Sequence, residues 1–158
     1  MHNMTETIKY TIAGNEHLSS IRHLLSSSQL PVSDIEEGKI DFIVASNESD
    51  EVIGCIGLER FEADALLRSF AVEQTWRNKK IGHQLFNRLL TMSRQQGVND
   101  LHLLTTTAEK FFTSVGFSSL SRSEAPVSIK ATAEFTSLCP STSTYMVMTG
   151  IQTKAANS

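Results

Sequence analysis

The chain has 158 residues, of which 40% are hydrophobic and 20% charged, and its formal net charge at pH 7 is -3. These values suit a soluble globular domain and argue against a general nucleic-acid binder, which needs a basic excess. The sequence contains neither an apolar run of membrane-spanning length nor a signal-peptide pattern, so we expect a cytoplasmic protein without nucleic-acid or membrane partners. One domain over residues 8–150, with loose termini at 1–7 and 151–158, is the predicted organisation.

The N-terminal third predicts a strand followed by helices. Polar and apolar residues alternate over Ile8–Ile12, as in a half-buried strand. The next apolar residues fall on one helical face, and a serine run ends that helix; they are Leu18, Ile21, Leu24 and Leu25. Ser33 and Glu36 fit a capping box, which predicts a short second helix over residues 34–38.

Three strands are predicted next. Phe42–Ala45 and Val52–Arg60 form an antiparallel hairpin around a polar tip, and Leu66–Val72 follows a turn at Glu62–Ala65. Cys55 lies in an apolar part of the second strand and is interpreted as a small buried hydrophobe. Two cysteines imply no disulfide framework. The sequence leaves undecided whether Cys55 and Cys139 form a single disulfide bond.

A basic turn links the third strand to an amphipathic helix. The turn contains Arg77, Lys79 and Lys80, and the helix begins at Ile81 and ends before Gly97. The first N–H groups of a helix have no intrahelical partners, and the helix dipole favours anions there. The turn therefore predicts an anion site suited to a phosphate-bearing cofactor.

The remaining elements complete a mixed α/β order. Leu101–Leu104 predicts a buried strand, and residues 108–115 predict a helix that ends at Gly116. Phe117 starts or precedes a further strand, and Tyr145–Thr149 predicts a late one. Strands alternating with helices in this order suit one mixed sheet with helices on its faces.

The strand, basic turn and helix resemble the acyl-coenzyme A motif of the GNAT N-acetyltransferases. That family's pattern is Arg or Gln, two residues, Gly, one residue, then Gly or Ala; Arg77 matches its first position and Gly82 its last. Lys80 stands where the first glycine is usual. A lysine there either takes an ordinary helical backbone or, with a positive φ, is strained and weakens cofactor binding.

Other segments extend the resemblance. Thr105–Phe117 is similar to the family's later strand–helix unit, in which the position of Phe112 is often a tyrosine that protonates the departing thiolate. Together, Ala65–Val72, Leu103–Glu109 and Ala131–Ser141 resemble the arsenic-resistance (ArsN-like) branch. Members of that branch are linked to acetylation of amino acids such as arsinothricin, and they resemble phosphinothricin acetyltransferases.

The resemblance implies an α/β GNAT fold: a mixed, mostly antiparallel central sheet splayed to hold coenzyme A, with helices on both faces. It implies acetyl-CoA as co-substrate, a small-molecule amine as acceptor, and main-chain contacts to the pantetheine and pyrophosphate. The predicted cofactor-binding residues are Phe70, Ala71, Val72, Arg77, Asn78, Lys79, Lys80, Ile81, Gly82, His83, Thr107, Phe111 and Phe112. Core packing is the alternative for the two phenylalanines of the later helix, and a surface position is the alternative for His83.

Arg68 lies inside an apolar strand, where burial of its charge requires a partner. One hypothesis is a bidentate bond to a substrate carboxylate, which the branch resemblance favours. The alternative is a salt bridge to Glu59 or Glu62. On a strand, Arg68 and Phe70 share one face, while Ser69 and Ala71 take the other.

Amine acetylation also needs a base. Glu59 is the first candidate, with Glu62 and Glu124 weaker, and a solvated surface charge is the alternative for each. A backbone N–H near Ala71 or Val72 is the predicted oxyanion donor. Water, Tyr145 or Ser114 would protonate the thiolate in place of Phe112.

The five histidines show no metal-ligand spacing, so no metal site is predicted. The main hypothesis is direct acetyl transfer to the primary amine of a small amino acid or amino-acid-like toxin. An acetyl-CoA-binding sensor or inactive relative is a second hypothesis, motivated by Lys80 and Phe112, and transfer to a protein or polyamine is a third. The sequence leaves the oligomeric state open, including a homodimer.

Overall fold

The computed structural model describes residues 7–33, 35 and 39–152. Seven strands lie within these residues: β1 Lys9–Ile12, β2 Ile40–Ser46, β3 Val52–Phe61, β4 Asp64–Val72, β5 Asp100–Thr105, β6 Ser118–Leu120 and β7 Thr144–Met148. The α-helices are α1 Leu18–Ser27, α2 Ile81–Gln95, α3 Glu109–Val115 and α4 Val127–Lys130. Short 3₁₀ turns occupy Asn15–His17, Gln74–Trp76 and Arg122–Glu124, and a π-helical turn occupies Glu134–Leu138.

The strands form one open sheet in the order β1-β2-β3-β4-β5-β7-β6. β1 pairs antiparallel with β2, and β7 pairs antiparallel with both β5 and β6. β4 and β5 pair in parallel, with Asp64–Leu66 opposite Asp100–His102, the first three residues of each strand. This arrangement confirms the predicted mixed, mostly antiparallel α/β fold.

The described chain divides into two compact units. The first comprises the residues up to Leu58 together with Ser69–Thr91. Its core joins α1, β2 and β3 through Leu25, Val44 and Cys55, all of which are fully buried. On the other side of β3, a Cβ atom built on Gly54 would lie 3.0 Å from a methyl carbon of Leu85 in α2. Since consecutive strand residues face opposite sides, helices cover both faces of β3, as predicted.

The second unit comprises Glu59–Arg68 and the residues from Met92 onwards. Its core packs Leu66 of β4 and Tyr145 of β7 against Ile129 of α4. The segment that follows α4 is held by Arg122, whose guanidinium donates to the carbonyls of Pro140 and Ser141 at 3.2 and 3.0 Å. The sequence predicted no secondary structure for residues 127–138, because α4 and the π-helical turn are each too short to show a helical period.

Some predicted boundaries are wrong. Asp64 and Ala65 belong to β4, so the predicted four-residue turn is reduced to Glu62 and Ala63, with Glu62 at φ +58°. Ile151, predicted within a loose terminus, is fully buried, and its N–H donates to the Asn99 carbonyl at 2.9 Å. The helix predicted over 34–38 falls mostly outside the described residues.

Two further sequence expectations can be compared with the structure. Both cysteines are free thiols, so the Cys55–Cys139 disulfide that the sequence left undecided is absent. Across the described part of the chain, no helix combines the length and apolar character that crossing a membrane requires.

Candidate functional site

The basic turn runs from the end of β4 to the start of α2. Arg77, Asn78, Lys79 and Lys80 are all exposed, and Nε of Arg77 donates to the Val72 carbonyl at 3.0 Å. The Lys80 carbonyl accepts the first bond of α2, from the Gln84 N–H at 3.1 Å. The turn thus places positive side chains at the N-terminal end of a 15-residue helix, where N–H groups and the dipole favour anions. These residues fit the diphosphate of a coenzyme.

Lys80 adopts the strained alternative that the sequence left open. Its φ is +66°, and Asn78 has the same value. Asparagine tolerates this left-handed region better than other residues with a Cβ, whereas lysine does not share that tolerance. The backbone therefore takes the conformation that a glycine would favour, with a lysine side chain in place.

A further left-handed residue lies inside β4. Ser69 is buried and has φ +56°, while its carbonyl accepts from the Cys55 thiol at 3.3 Å. The regular alternation that would place Arg68 and Phe70 on one face assumes an extended residue between them. That argument fails at Ser69. Phe70 and Val72 are half-buried and Ala71 is buried.

Arg68 lies in a buried ionic cluster. Its side chain is 0% exposed, one terminal nitrogen donates to Glu59 Oε1 at 3.1 Å, and Nε lies 3.6 Å from Glu134 Oε2. The cluster contains the Glu59 partner that the sequence offered as an alternative; Glu62 instead lies in the exposed turn. One guanidinium and two carboxylates leave the cluster with one formal negative charge. Substrate binding by Arg68 and proton transfer by Glu59 stay predictions.

Glu134 and Cys139 extend this cluster. Glu134 is buried at the start of the π-helical turn, a type of distortion that is frequent at functional sites. Burial raises the pKa of the Cys139 thiol to about 12, helped by the charge of Glu134 and by a side-chain hydrogen bond to it. Sequence reasoning missed Glu134, because nothing in a linear pattern links it to β3 or β4.

The predicted residues of the later strand–helix unit lie in the second unit. Thr107 is exposed, Phe111 is half-buried and Phe112 is buried. The ring of Phe112 makes edge contacts with Phe111 and Phe117, at centroid separations of 5.2 and 5.4 Å. This packing favours the core interpretation for Phe112 and gives no acid at that position.

The two side chains considered as replacement acids are both hydrogen bonded. Ser114 Oγ donates to the Phe111 carbonyl within α3. The Tyr145 hydroxyl lies 2.7 Å from His102 Nδ1, and burial, followed by the charges of Asp64 and Asp100, raises the pKa of Tyr145 to about 12. Tyr145 is therefore a weaker acid than an ordinary tyrosine.

His102 also contacts Asp64, and Asp100 lies close to both residues. Its Nε2 lies 2.8 Å from Asp64 Oδ1, and candidate ligand atoms of Asp64, Asp100 and His102 all lie within 4.8 Å of one another. Sequence spacing missed this cluster, because Asp64 and His102 are 38 positions apart and meet only through strand pairing. Both His102 nitrogens have protein partners, and the absence of a metal stays a prediction.

Comparison with known proteins identifies the fold family. Residues 38–119, about half of the chain, match the family model of the acetyltransferase (GNAT) domain. An uncharacterised N-acetyltransferase of Chlorobaculum tepidum is 32% identical over 99 residues, which cover 62% of this chain and 63% of that protein. The chain thus matches less than two thirds of that relative's length.

Solved structures agree on the fold. A GNAT-family acetyltransferase from Staphylococcus aureus superposes with a TM-score of 0.75 at 19% identity, covering 90% of this chain and 99% of the other. N-acetylglutamate synthase from Neisseria gonorrhoeae, in complex with coenzyme A and L-arginine, gives 0.74 at 17% identity, covering 90% of this chain but only 33% of that one. At such identities the likeness concerns the fold. With the family model matching half of the sequence, the chain belongs to the GNAT acetyltransferase domain family.

Proposed function

We propose that this protein is an N-acetyltransferase that transfers the acetyl group of acetyl-CoA directly to the primary amine of a small amino acid or amino-acid-like toxin of the arsinothricin or phosphinothricin type. The observation that carries the proposal is the exposed basic turn at the start of α2 in a GNAT domain. Its N–H groups and basic side chains suit a diphosphate. The Neisseria relative, which contains coenzyme A, supports the same co-substrate.

In the proposed reaction, residues of the buried ionic cluster bind the acceptor and take up its proton. The acceptor nitrogen bonds to the acyl carbon as the carbon–sulfur bond breaks, and the proton lost by the amine goes to the Glu59 carboxylate. The sulfur leaves as thiolate and takes a proton from water, since Phe112 has none to give. Arg68 would hold the acceptor's carboxylate through its planar fork of N–H donors.

Glu59 and Glu134 provide a matched pair for testing the base. Both carboxylates contact Arg68, so Glu59→Gln and Glu134→Gln each remove one negative partner of the same guanidinium. General-base catalysis predicts that Glu59→Gln lowers kcat by roughly 10²–10⁴-fold, and that Glu134→Gln lowers it far less. Equal losses in the two variants would assign both residues to structure and remove Glu59 as the base.

The acceptor is tested with paired compounds. Thiol release from acetyl-CoA is measured against amino acids, their phosphinate and arsinate analogues, and the corresponding amines without the carboxylate. We expect KM to be lowest for acceptors that carry a carboxylate. A preference for the simple amines would refute carboxylate binding by Arg68, and no turnover with any acceptor would refute the proposed activity.

A coenzyme-binding sensor is the second candidate function. The left-handed lysine in the basic turn and the buried Phe112 favour it, because the first strains the coenzyme turn and the second removes an acid. Calorimetric titration with acetyl-CoA separates the two functions. Tight binding without thiol release supports the sensor.

A further inference from the structure

The buried ionic cluster lies within the second unit, and its two carboxylates belong to different kinds of backbone. Glu59 is part of the ten-residue strand β3, which lies between β2 and β4 in the sheet. Glu134 is the first residue of the five-residue π-helical turn, and its carbonyl accepts from the Cys139 N–H at 3.1 Å. Glu134 is only 4% exposed, and a glutamate is almost never buried to that extent unless it is paired. The ion pair with Arg68 supplies that partner.

The charge of the cluster limits what can bind there. One guanidinium and two carboxylates already leave one formal negative charge, and the Arg68 side chain is 0% exposed. The acceptor amine must be neutral to attack, so an acceptor with a carboxylate brings a further negative charge. Three carboxylates around one buried guanidinium would repel one another, and burial makes such uncompensated charge costly. A carboxylate acceptor therefore pairs with Arg68 only when a resident carboxylate leaves.

Glu134 is the resident carboxylate better placed to leave. Strand pairing of β3 fixes the backbone of Glu59, and the Glu59 side chain, 12% exposed, is the most accessible of the three in the cluster, which suits the proposed base. Glu134 belongs to a short turn rather than to the sheet, so movement of its side chain breaks no bond between strands. Distortions of the π-helical type are frequent at functional sites.

We propose that Glu134 is a specificity-determining residue, which occupies the place of the acceptor's carboxylate on Arg68 and is displaced when the acceptor binds. The inference rests on the proposed function, in which Arg68 binds that carboxylate. The exchange leaves the net charge around Arg68 unchanged, because one carboxylate replaces another. It selects for acceptors with a carboxylate, since only such a group compensates for the ion pair that Glu134 loses.

Phosphinothricin and its α-carboxamide provide a matched pair of acceptors. They share the amine and the phosphinate, and only phosphinothricin has an α-carboxylate. Values of kcat and KM are measured by thiol release from acetyl-CoA, and dissociation constants by calorimetry with coenzyme A bound, so that no acetyl group is available. Glu134→Gln keeps the size of the side chain and removes its charge. Glu109→Gln is the control, because Glu109 is an exposed glutamate of the same unit whose carboxylate accepts from Thr144 Oγ1 at 3.4 Å.

The sign of the expected change is unusual for the loss of a buried ion pair. A site that is open in about 10% of the molecules or fewer binds its ligand about 10-fold more weakly, or worse, than a site that is always open. We therefore expect Glu134→Gln to lower both KM and Kd for phosphinothricin by about 10-fold or more, with little change in kcat. Neither constant should change for the α-carboxamide, and Glu109→Gln should leave both compounds unaffected.

The carboxyl carbon of Glu134 provides a readout that does not need turnover. Its NMR signal in the wild-type protein is assigned by its absence from the spectrum of Glu134→Gln. Saturation with phosphinothricin in the presence of coenzyme A should shift this signal, because the carboxylate leaves the guanidinium. The α-carboxamide should leave the signal in place.

An unchanged or raised KM and Kd for phosphinothricin in Glu134→Gln would overturn the exchange, and a raised value would show that Glu134 instead helps to hold Arg68 in position. Equal changes for the two compounds, a Glu134 signal that phosphinothricin does not shift, or no binding of phosphinothricin to either protein would overturn it as well. A wild-type protein that binds phosphinothricin with a shift of the Glu134 signal, yet transfers no acetyl group, refutes the proposed function while the exchange stands.

Discussion

Replacing Lys80 by glycine tests whether backbone strain is stored in the basic turn. With φ at +66°, a lysine costs about 1–2 kcal/mol relative to its ordinary conformation, whereas glycine adopts this region freely. Glycine in turn loses roughly 0.5–1 kcal/mol more conformational entropy on folding. The difference predicts that Lys80→Gly stabilises the protein by about 0.5–1 kcal/mol, which raises the melting temperature by about 1–4 °C for a chain of this size.

Lys79→Gly is the matched control. Lys79 is the same residue type, is also exposed, and does not belong to the left-handed residues of the described chain. This variant removes the same charge and adds the same glycine entropy without relieving strain, so it should lower the melting temperature. Melting followed by fluorescence measures both variants. Melting temperatures that shift in the same direction by the same amount would refute the strain argument.

The same pair separates charge from geometry in coenzyme binding. Each variant loses one positive charge, so a purely electrostatic contribution predicts equal weakening of coenzyme A binding in calorimetry. Removing the Cβ of Lys80 also lets a diphosphate approach the backbone at the start of α2. We therefore expect Lys80→Gly to bind coenzyme A more tightly than Lys79→Gly. Equal dissociation constants would contradict a close approach at Lys80.

Further predictions concern the buried charges and thiols. Arg68→Ala should lower the free energy of unfolding by about 3–5 kcal/mol in urea denaturation, because Glu59 and Glu134 would stay buried without their cation; an unchanged midpoint would contradict this. Glu134→Gln should speed alkylation of Cys139 by iodoacetamide, because Glu134 raises the pKa of that thiol, and an unchanged rate would exclude the contact. Burial raises the pKa of the Cys55 thiol from about 9 to about 12, so between these pH values the folded state keeps a proton that the unfolded chain has lost. The free energy of unfolding should therefore fall by about 1.4 kcal/mol per pH unit over this range. Melting at increasing pH should show a flatter profile for Cys55→Ser, and identical profiles would refute this assignment.

The sequence predicted the elements that have a clear period or a clear end. The apolar face of α2 and the glycine after it placed the longest helix correctly, with Gly97 at φ +82°. Apolar runs bounded by polar turns placed β3 and β4 to within two residues. Both α4 and the π-helical turn of Glu134 were missed, because four or five residues cannot display a period and their conformation depends on tertiary contacts.

The sequence predicted the candidate site only in part, namely where a buried charge requires a partner of opposite charge. Burial of an arginine in an apolar strand implied an opposite charge, and Glu59, on the adjacent strand, lies 3.1 Å from Arg68. Glu134 could not be predicted by that argument, since its position depends on how a distant segment folds back. The contacts of Cys55 were hidden for a different reason: its sequence environment is that of any buried small hydrophobe.

Backbone strain connects the fold with the proposed function. Residue patterns in the sequence do not show this connection. Six residues other than glycine have left-handed backbones in the described chain, and three of them, Ser69, Asn78 and Lys80, lie between the middle of β4 and the start of α2. Such conformations persist only where the surroundings hold them. At Ser69, the hydrogen bond from the Cys55 thiol to the Ser69 carbonyl helps to stabilise the left-handed conformation. At the basic turn, the hydrogen bond from Arg77 Nε to the Val72 carbonyl connects the turn to the end of β4. Because this stretch is also the one proposed to bind the coenzyme through its main chain, we expect backbone direction there to affect coenzyme binding more than side-chain identity does.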